Sequence, residues 1–391
     1  MTDLAELASL QQQPAAPGSG LALAFYFYSL AAAGGGAERM VCQLAGAMAR
    51  RGFAVQLLTW DAPEARSYYP IDAGVHWHRL GFAPGLGDKL RRIRALRDVL
   101  QASGTQVLVG FVMSGDRTVY AAARLAGVRL VAAERNAPSM YRFRYGPLQR
   151  WLALRLLGLA DLITVQMPGF AGGYPARLRG RIVSIPNPVP LASHMAAPAT
   201  PDANGHFTLL AASRLDAGQK RIACLVDAFA RVAADHPAWR LRIVGDGPER
   251  DRLQQRVAVL GLASRVTIAA TTRDIFDVYA SSHLFAIPSR WEGFPNALAE
   301  AMAHGLPAVG FAQAAGVAEL IGSAGWLADG LDDDAALADA LGSAMADGQQ
   351  RQRRGELAHQ QMARFGTTEQ QFDRWAGLLS DLARGSAGDR P

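Results

Sequence analysis

The sequence predicts an α/β protein of two similar domains, each built on a parallel sheet, with a deep cleft between them. Three observations carry this. Short apolar runs alternate with longer amphipathic stretches, which is the pattern of strand–helix–strand units. The alternation breaks once, at the proline-rich stretch Ile185-Pro186-Asn187-Pro188-Val189-Pro190, continued by Pro198, Pro201 and Gly205, and then starts again. The length of 391 residues, half of them hydrophobic, suits two domains with sizeable cores.

In chain order, residues 1–19 are rich in Gln, Pro, Gly and Ser and read as a loose tail. Leu21–Tyr28, Ala54–Leu58, Gln106–Phe111, Leu130–Ala133 and Leu162–Val165 read as buried strands, separated by amphipathic stretches such as Glu38–Arg51 and Thr118–Ala126. The second series is Leu209–Ala212, Leu241–Val244, Val266–Ile268, Leu284–Pro288 and Ala308–Phe311. Phe372, Trp375, Leu378, Leu379 and Leu382 mark an amphipathic helix with no strand after it, expected to pack back on the body. The expected domains are therefore a tail at 1–19, an N-terminal Rossmann-like domain at 20–190, a linker at 191–205, a C-terminal Rossmann-like domain at 206–366, and a returning helix and tail at 367–391.

Composition excludes several classes. Half the residues are hydrophobic and 19% charged, which is not a disordered or collagen-like chain. Cys42 and Cys224 cannot form a disulfide framework or a Cys-rich zinc site, and both fall in apolar helical stretches expected to be core. Asp3 and Glu6 stand where a secretory signal needs basic residues, and Leu21–Ala33 is shorter than a spanning helix, so a cytoplasmic protein is expected. The net charge of +6 is carried almost wholly by arginine, Lys89 and Lys220 being the only lysines. Lys89, Arg91, Arg92, Arg94 and Arg97 cluster in one segment; Arg135, Arg142, Arg144, Arg150 and Arg155 form a second with no acid among them. No helix-turn-helix, zinc-finger or single-strand-binding pattern accompanies them, so nucleic acid is not the expected partner. Residues 88–100 and 140–157 each combine cations with apolar residues at helical spacing. Each is either a packed helix with solvated arginines or a contact with a bilayer surface.

Ligands of open α/β sheets sit at the carboxyl ends of the strands, so candidate site residues are sought there. Gly34-Gly35-Gly36-Ala37-Glu38-Arg39 follows a strand and opens a helix, where bare backbone and free amides suit an anion, although a simple turn reads the same way. Arg214 and Lys220 follow another strand end, two cations of different geometry that suit a diphosphate. Glu292 lies in a loop and Glu300 inside the helix that follows. That spacing does not make one acid–base pair but suits two grips on one extended ligand.

Together these segments resemble the retaining glycosyltransferases of family 4, which have the GT-B fold of two Rossmann-like domains. Glu292–Glu300 matches their E-x7-E motif, Gly34–Arg39 their glycine loop, Ser213-Arg214-Leu215 with Lys220 their Arg/Lys pair, and Val244-Gly245-Asp246-Gly247-Pro248 their G-x-G-P turn. Glu134-Arg135-Asn136 with Pro138, and Pro186-Asn187-Pro188, resemble members that extend lipid-linked bacterial oligosaccharides, N-acetylhexosaminyl transferases among them.

The resemblance implies a nucleoside-diphosphate sugar, with UDP expected, as donor and co-substrate. It implies no cofactor and no metal. Arg214 and Lys220 would bind the diphosphate, Glu300 the ribose hydroxyls and Glu292 the donor sugar. The backbone around Gly293, Phe294, Asn296 and Ala297 would meet sugar and phosphate, and Gly35 and Gly36 would approach from the other domain. Glu134, Arg135 and Asn136 would lie on the acceptor side, the acceptor being a growing or lipid-linked glycan at the inner membrane face. The Arg214–Lys220 spacing is one residue longer than in many members, so Arg221 could share the cationic role. Arg135 stands where many have His, and His283 where aspartate is usual. Two alternatives stay open: a nucleotide-sugar 2-epimerase on the same fold, and a non-catalytic glycan- or nucleotide-binding module. Asp332-Asp333-Asp334 looks like a metal-binding DxD but precedes a helical run, so it is read as a helix N-cap. His76 and His78 share a strand face, and two ligands make no metal site.

Overall fold

The structure, a computed structural model, describes residues 20–31, 35–82, 88–111, 113, 116–192 and 194–385. The tail expected at 1–19 and Gly34 of the glycine loop lie outside the described residues.

The N-terminal sheet has seven strands: β1 (Ala22–Tyr26), β2 (Ala54–Thr59), β3 (Val75–Arg79), β4 (Val107–Phe111), β5 (Arg129–Ala133), β6 (Leu162–Val165) and β7 (Ile182–Ser184), in the order 3-2-1-4-5-6-7. Its helices are α1 (Gly36–Arg50), α2 (Lys89–Ala102), α3 (Arg117–Ala126), α4 (Met140–Arg144), α5 (Pro147–Leu157) and the short α6 (Ala176–Arg179). The C-terminal sheet has six: β8 (Phe207–Ala212), β9 (Trp239–Val244), β10 (Val266–Ala269), β11 (Leu284–Ile287), β12 (Ala308–Phe311) and β13 (Gly325–Ala328), in the order 10-9-8-11-12-13. With them run α7 (Ile222–Val232), α8 (Arg250–Val259), α9 (Ile275–Ala280), α10 (Asn296–Ala303), α11 (Val317–Ile321), α12 (Asp334–Ala346) and α13 (Gly348–Arg364).

Every pairing in both sheets is parallel, and strand order reverses once in each. The reversal lies between β1 and β4 in the first sheet and between β8 and β11 in the second. Loops leaving neighbouring strands diverge at such a point and open a crevice. The segments leaving β1, β8 and β11 are the glycine loop, the Arg214–Lys220 loop and the Glu292 loop.

The helix expected near Phe372 is α14 (Thr368–Arg384), which leaves the C-terminal domain and packs on the N-terminal one. Phe372, Trp375, Ala376, Leu379 and Ala383 share a core with Leu23, Phe25, Leu44 and Val109. A capping box between Thr367 and Gln370 starts it, and Arg51 of the first domain pairs with Glu369 and Asp373. The basic segment at 88–100 resolves as a packed helix: Leu96 and Leu100 are buried, and Arg92 lies over the Trp60 ring at 4.7 Å. Asp333 caps α12 through the amides of Ala335 and Ala336, as its sequence context predicts. Cys42 and Cys224 are buried free thiols.

Candidate functional site in the interdomain cleft

The loop after β8 is organised by Asp216. One carboxylate oxygen accepts the amides of Gln219 (2.8 Å) and Lys220 (3.4 Å), the other the Arg214 guanidinium (3.1 Å). Burial works to raise the Asp216 pKa, but these donors hold it below the ordinary carboxylate value. The G-x-G-P turn braces the same loop. Leu215 donates its amide to the Asp246 carbonyl, and a Cβ on Gly245 or Gly247 would overlap the carbonyl oxygen of Ser213 or Leu215. Arg214 is thereby left with its side chain 61% exposed in the cleft wall, while Lys220 turns inward.

Lys220 Nζ lies 2.5 Å from Glu292 Oε1, which also accepts from Ser289 Oγ at 2.7 Å; Gln219 Nε2 approaches Oε2 at 3.4 Å. The loop after β8 and the loop after β11 are thus tied by one buried ion pair across the switch point. Glu300 sits about one turn into α10, buried, with Tyr279 OH donating to Oε2 at 3.1 Å. Its other oxygen is 2.5 Å from Arg39 Nη2, on α1 of the opposite domain. As the spacing implies, Glu292 and Glu300 have separate partners and do not form an acid–base pair.

The domains meet closely here. Asn187 donates to Asn296 Oδ1 at 2.8 Å, and a Cβ on Gly36 would overlap the Asn296 amide. A Cβ on Gly293 would overlap the Arg135 carbonyl oxygen, and Trp291 stacks on Phe143 at 4.8 Å with planes 9° apart. The N-termini of α1 and α10 therefore approach each other, and both present free amides and the positive end of a helix dipole. Gly35 and Gly36 stand at the first of these ends, Asn296 and half-exposed Ala297 at the second.

Two expectations are corrected. Arg221 does not share the role of Lys220: it adopts a left-handed backbone (φ 53°), donates to the Leu331 carbonyl and pairs with Asp332 at 2.5 Å, away from Glu292. Glu134 is closed off from the cleft at 3% exposure. Its carboxylate accepts from Tyr141 OH (2.7 Å) and Tyr174 OH (3.3 Å), and burial pushes its pKa above the ordinary value. The Phe294 side chain is buried, edge-on to Phe365 at 6.0 Å.

Arg135 lies half-buried over the Phe111 ring at 5.2 Å and donates to Asn187 Oδ1; burial draws its pKa down to about 9. Asn136 adjoins Gly293 through its Cα. Arg39, Asn187, Asp216, Gln219, Tyr279 and Ser289 were not singled out as site residues. Arg39, Asn187, Asp216 and Ser289 lie within the motif segments, whereas Gln219 and Tyr279 carry no local signal. Among the described residues no group of three or more His, Cys, Asp or Glu side chains is placed to hold a metal ion.

Residues 35–188 match the glycosyl transferase 4-like domain, and residues 206–347 match glycosyl transferases group 1. The chain carries these two domains in that order. An amylovoran biosynthesis glycosyltransferase of Erwinia amylovora is 32% identical over 162 residues, 41% of this chain and 45% of that protein. An exopolysaccharide phosphotransferase of Streptomyces coelicolor is 36% identical over 42% of this chain and 17% of its own length. The chain thus spans less than half the length of these curated relatives. A putative glycosyltransferase of Bacillus subtilis, EpsF, is 27% identical over 70% of this chain and 75% of that protein.

Among solved structures, the lipopolysaccharide outer core galactosyltransferase WaaB covers 92% of this chain and 100% of its own, with a TM-score of 0.71 at 17% identity. Anabaena HepE in complex with UDP-glucose gives 0.71 at 18% identity, over 92% of this chain and 100% of its own. These likenesses establish the GT-B fold, two facing Rossmann-like domains, in agreement with the sequence expectation.

Proposed function

We propose that the chain is a glycosyltransferase that moves a hexose or N-acetylhexosamine from a nucleoside-diphosphate sugar, with UDP as nucleotide, to a growing surface glycan carried on polyprenyl diphosphate. The observation that carries the reading is the ion-paired Lys220–Glu292 couple at the switch point of the C-terminal sheet, with Glu300 beyond it and the α1 glycine backbone opposite. Sugar and nucleotide need grips at separate points, and two carboxylates with different partners supply them. The domain matches and the polysaccharide-biosynthesis names of the relatives agree with it. None of the relatives described above supports the epimerase alternative.

In this reading Glu300 takes the ribose hydroxyls, each charge-assisted bond contributing about 1.5–3 kcal/mol. Glu292 takes hydroxyls of the donor sugar. Arg214 and Lys220 offset the charge that grows on the leaving diphosphate, as a fixed field aimed at the developing charge. The amides at the starts of α1 and α10 meet the phosphates. Transfer proceeds with retention by front-face attack, the departing phosphate oxygen accepting the proton of the attacking hydroxyl. The cations do the work a metal would otherwise do.

The protein would act at the inner face of the cytoplasmic membrane. Exposed Phe143, Leu148 and Trp151 beside Arg142, Arg144 and Arg155 support contact with an anionic bilayer, and no described helix is long and apolar enough to cross one. Calorimetry with UDP and GDP on wild type and Glu300→Ala tests the donor site. Tight binding of one nucleotide, weakened by the substitution, is expected; no binding of either to folded protein overturns the reading. Flotation with anionic vesicles at low salt tests the membrane contact, which fails if none bind.

A further inference from the structure

A second cavity lies beside the donor cleft, with a volume of about 530 Å³. Tyr141, Phe170 and Tyr174 line it, Arg142 and Arg150 contribute cations from α4 and α5, and Glu319 of α11 enters from the opposite domain. Ala315, which accepts the Glu292 amide at 2.9 Å, also lines it, so one residue separates this cavity from the Glu292 loop.

The walls are built. Tyr141 and Tyr174 are held from behind by the Glu134 carboxylate. Arg179 holds the Gly-rich turn at 168–173 by donating to the carbonyls of Tyr174 and Gly172, each at 3.0 Å. Gly173 packs so closely on Pro138 that a Cβ there would sit 2.7 Å from Cγ. Arg142 is exposed and Arg150 half-exposed, and among the described residues neither guanidinium has a hydrogen-bond or ion-pair partner. Two unpaired guanidiniums on one wall of a rigid aromatic-lined cavity attract an anion and present forks to its oxygens.

We propose that this cavity binds the phosphate or diphosphate ester of the acceptor, with Arg142 and Arg150 holding its oxygens above a rigid floor backed by the buried Tyr141, Phe170 and Tyr174 rings. This rests on the transferase reading and deepens it by assigning residues to the acceptor's anionic end. Glu319 is the one carboxylate on the wall; it accepts the Gly169 amide and works against an anion placed near it. Its charge limits the affinity of the site, and its neutralisation tightens it.

The test uses the full chain saturated with UDP, so that the donor cleft is filled. Inorganic pyrophosphate is titrated in one arm, and farnesyl diphosphate held in phosphatidylcholine vesicles in the other, against diphosphate-free vesicles. Wild type is expected to bind at least one of the two probes. The double variant Arg142→Gln/Arg150→Gln is expected to lose tenfold or more while its UDP affinity and melting temperature stay unchanged. Glu319→Gln is expected to tighten binding severalfold.

Binding of free pyrophosphate identifies a site for the anion itself; binding of the vesicle-held ester alone identifies a lipid-linked acceptor. Failure of wild type to bind either probe, or equal affinity in the double variant, overturns the proposal. If UDP itself does not bind, the donor reading fails separately. The same comparison without UDP then still reads the cavity.

Discussion

Removing Arg39 should tighten nucleotide binding, although it deletes a cation from the donor site. In the structure the Arg39 guanidinium covers the Glu300 carboxylate at 2.5 Å, and Glu300 is only 7% exposed. If Glu300 takes the ribose hydroxyls as proposed, they reach this carboxylate only once Arg39 withdraws, and nucleotide binds at the expense of an ion pair. Fully exposed pairs are worth about 0.2–1 kcal/mol, and losing one partner of a fully buried pair costs about 3–5. With side chains 36% and 9% exposed, this pair falls between those limits. Discounting for solvent screening on the arginine side leaves about 1–2 kcal/mol, or roughly 5- to 30-fold in affinity.

The substitution Arg39→Ala strips that stabilisation from the free state alone. The expected outcome by calorimetry is a UDP dissociation constant lowered by roughly 5-fold or more. The nucleotide-free melting temperature should fall, and Glu300→Ala should weaken binding in either background. If Arg39→Ala weakens UDP binding as much as Glu300→Ala does, the guanidinium contacts the nucleotide directly and the argument is wrong.

Glu292→Gln leaves Lys220 Nζ without its anionic partner while preserving shape. Sugar transfer should fall by ~100-fold or more with UDP affinity little changed, in line with loss of one preorganised polar contact to the reacting group; unchanged turnover would remove Glu292 from the site. Gly293→Ala places a methyl on the Arg135 carbonyl oxygen and should force the domains apart. The cost is about 1–3 kcal/mol, read as a larger radius of gyration in solution scattering with UDP bound. Trp375→Ala empties a fully buried site where α14 meets the N-terminal core and should cost about 3–5 kcal/mol. Faster hydrogen exchange along 368–384 is the readout.

Glu134 is raised by burial above its ordinary 4.5, so its contribution to stability is complete below that pH and is lost as pH rises through the folded value. Glu134→Gln stays neutral throughout. Its melting temperature should therefore gain on wild type as pH rises from about 4.5, and a constant difference across pH would refute the assignment.

Most of the architecture was legible because interior parallel strands are buried on both faces and read as unbroken apolar runs. The strands outside the expected list are β7 and β13, with β3 foreshadowed only by the strand face that His76 and His78 share; all three are sheet edges. Val75-His76-Trp77-His78-Arg79 buries only its first residue, and β7 has three residues, all half-buried, so neither makes an apolar run. The site divides in the same way. Glu292, Glu300, Arg214 and Lys220 stand at spacings that local structure explains. The partners that define their state do not: Arg39 meets Glu300 across 261 residues, and Asn187 meets Asn296 across 109. No periodicity encodes such a meeting, which depends on how two separately folded sheets face each other. Glu134, placed on the acceptor side by the resemblance alone, is closed off for a related reason: the tyrosines at 141 and 174 that cover it come from elsewhere in the chain.

The return of α14 to the first domain has a mechanical consequence. The two halves are joined not by one tether but by two, the proline-rich stretch after β7 and the short passage at 365–367, where Gly366 takes φ 83°. A plate fixed at a single point can swivel in any direction. One fixed at two points can only swing about the line through both, like a door on a pair of pins. Any opening and closing of the cleft should therefore follow one arc. The contacts farthest from that line, whichever side chains make them, travel the greatest distance with each turnover.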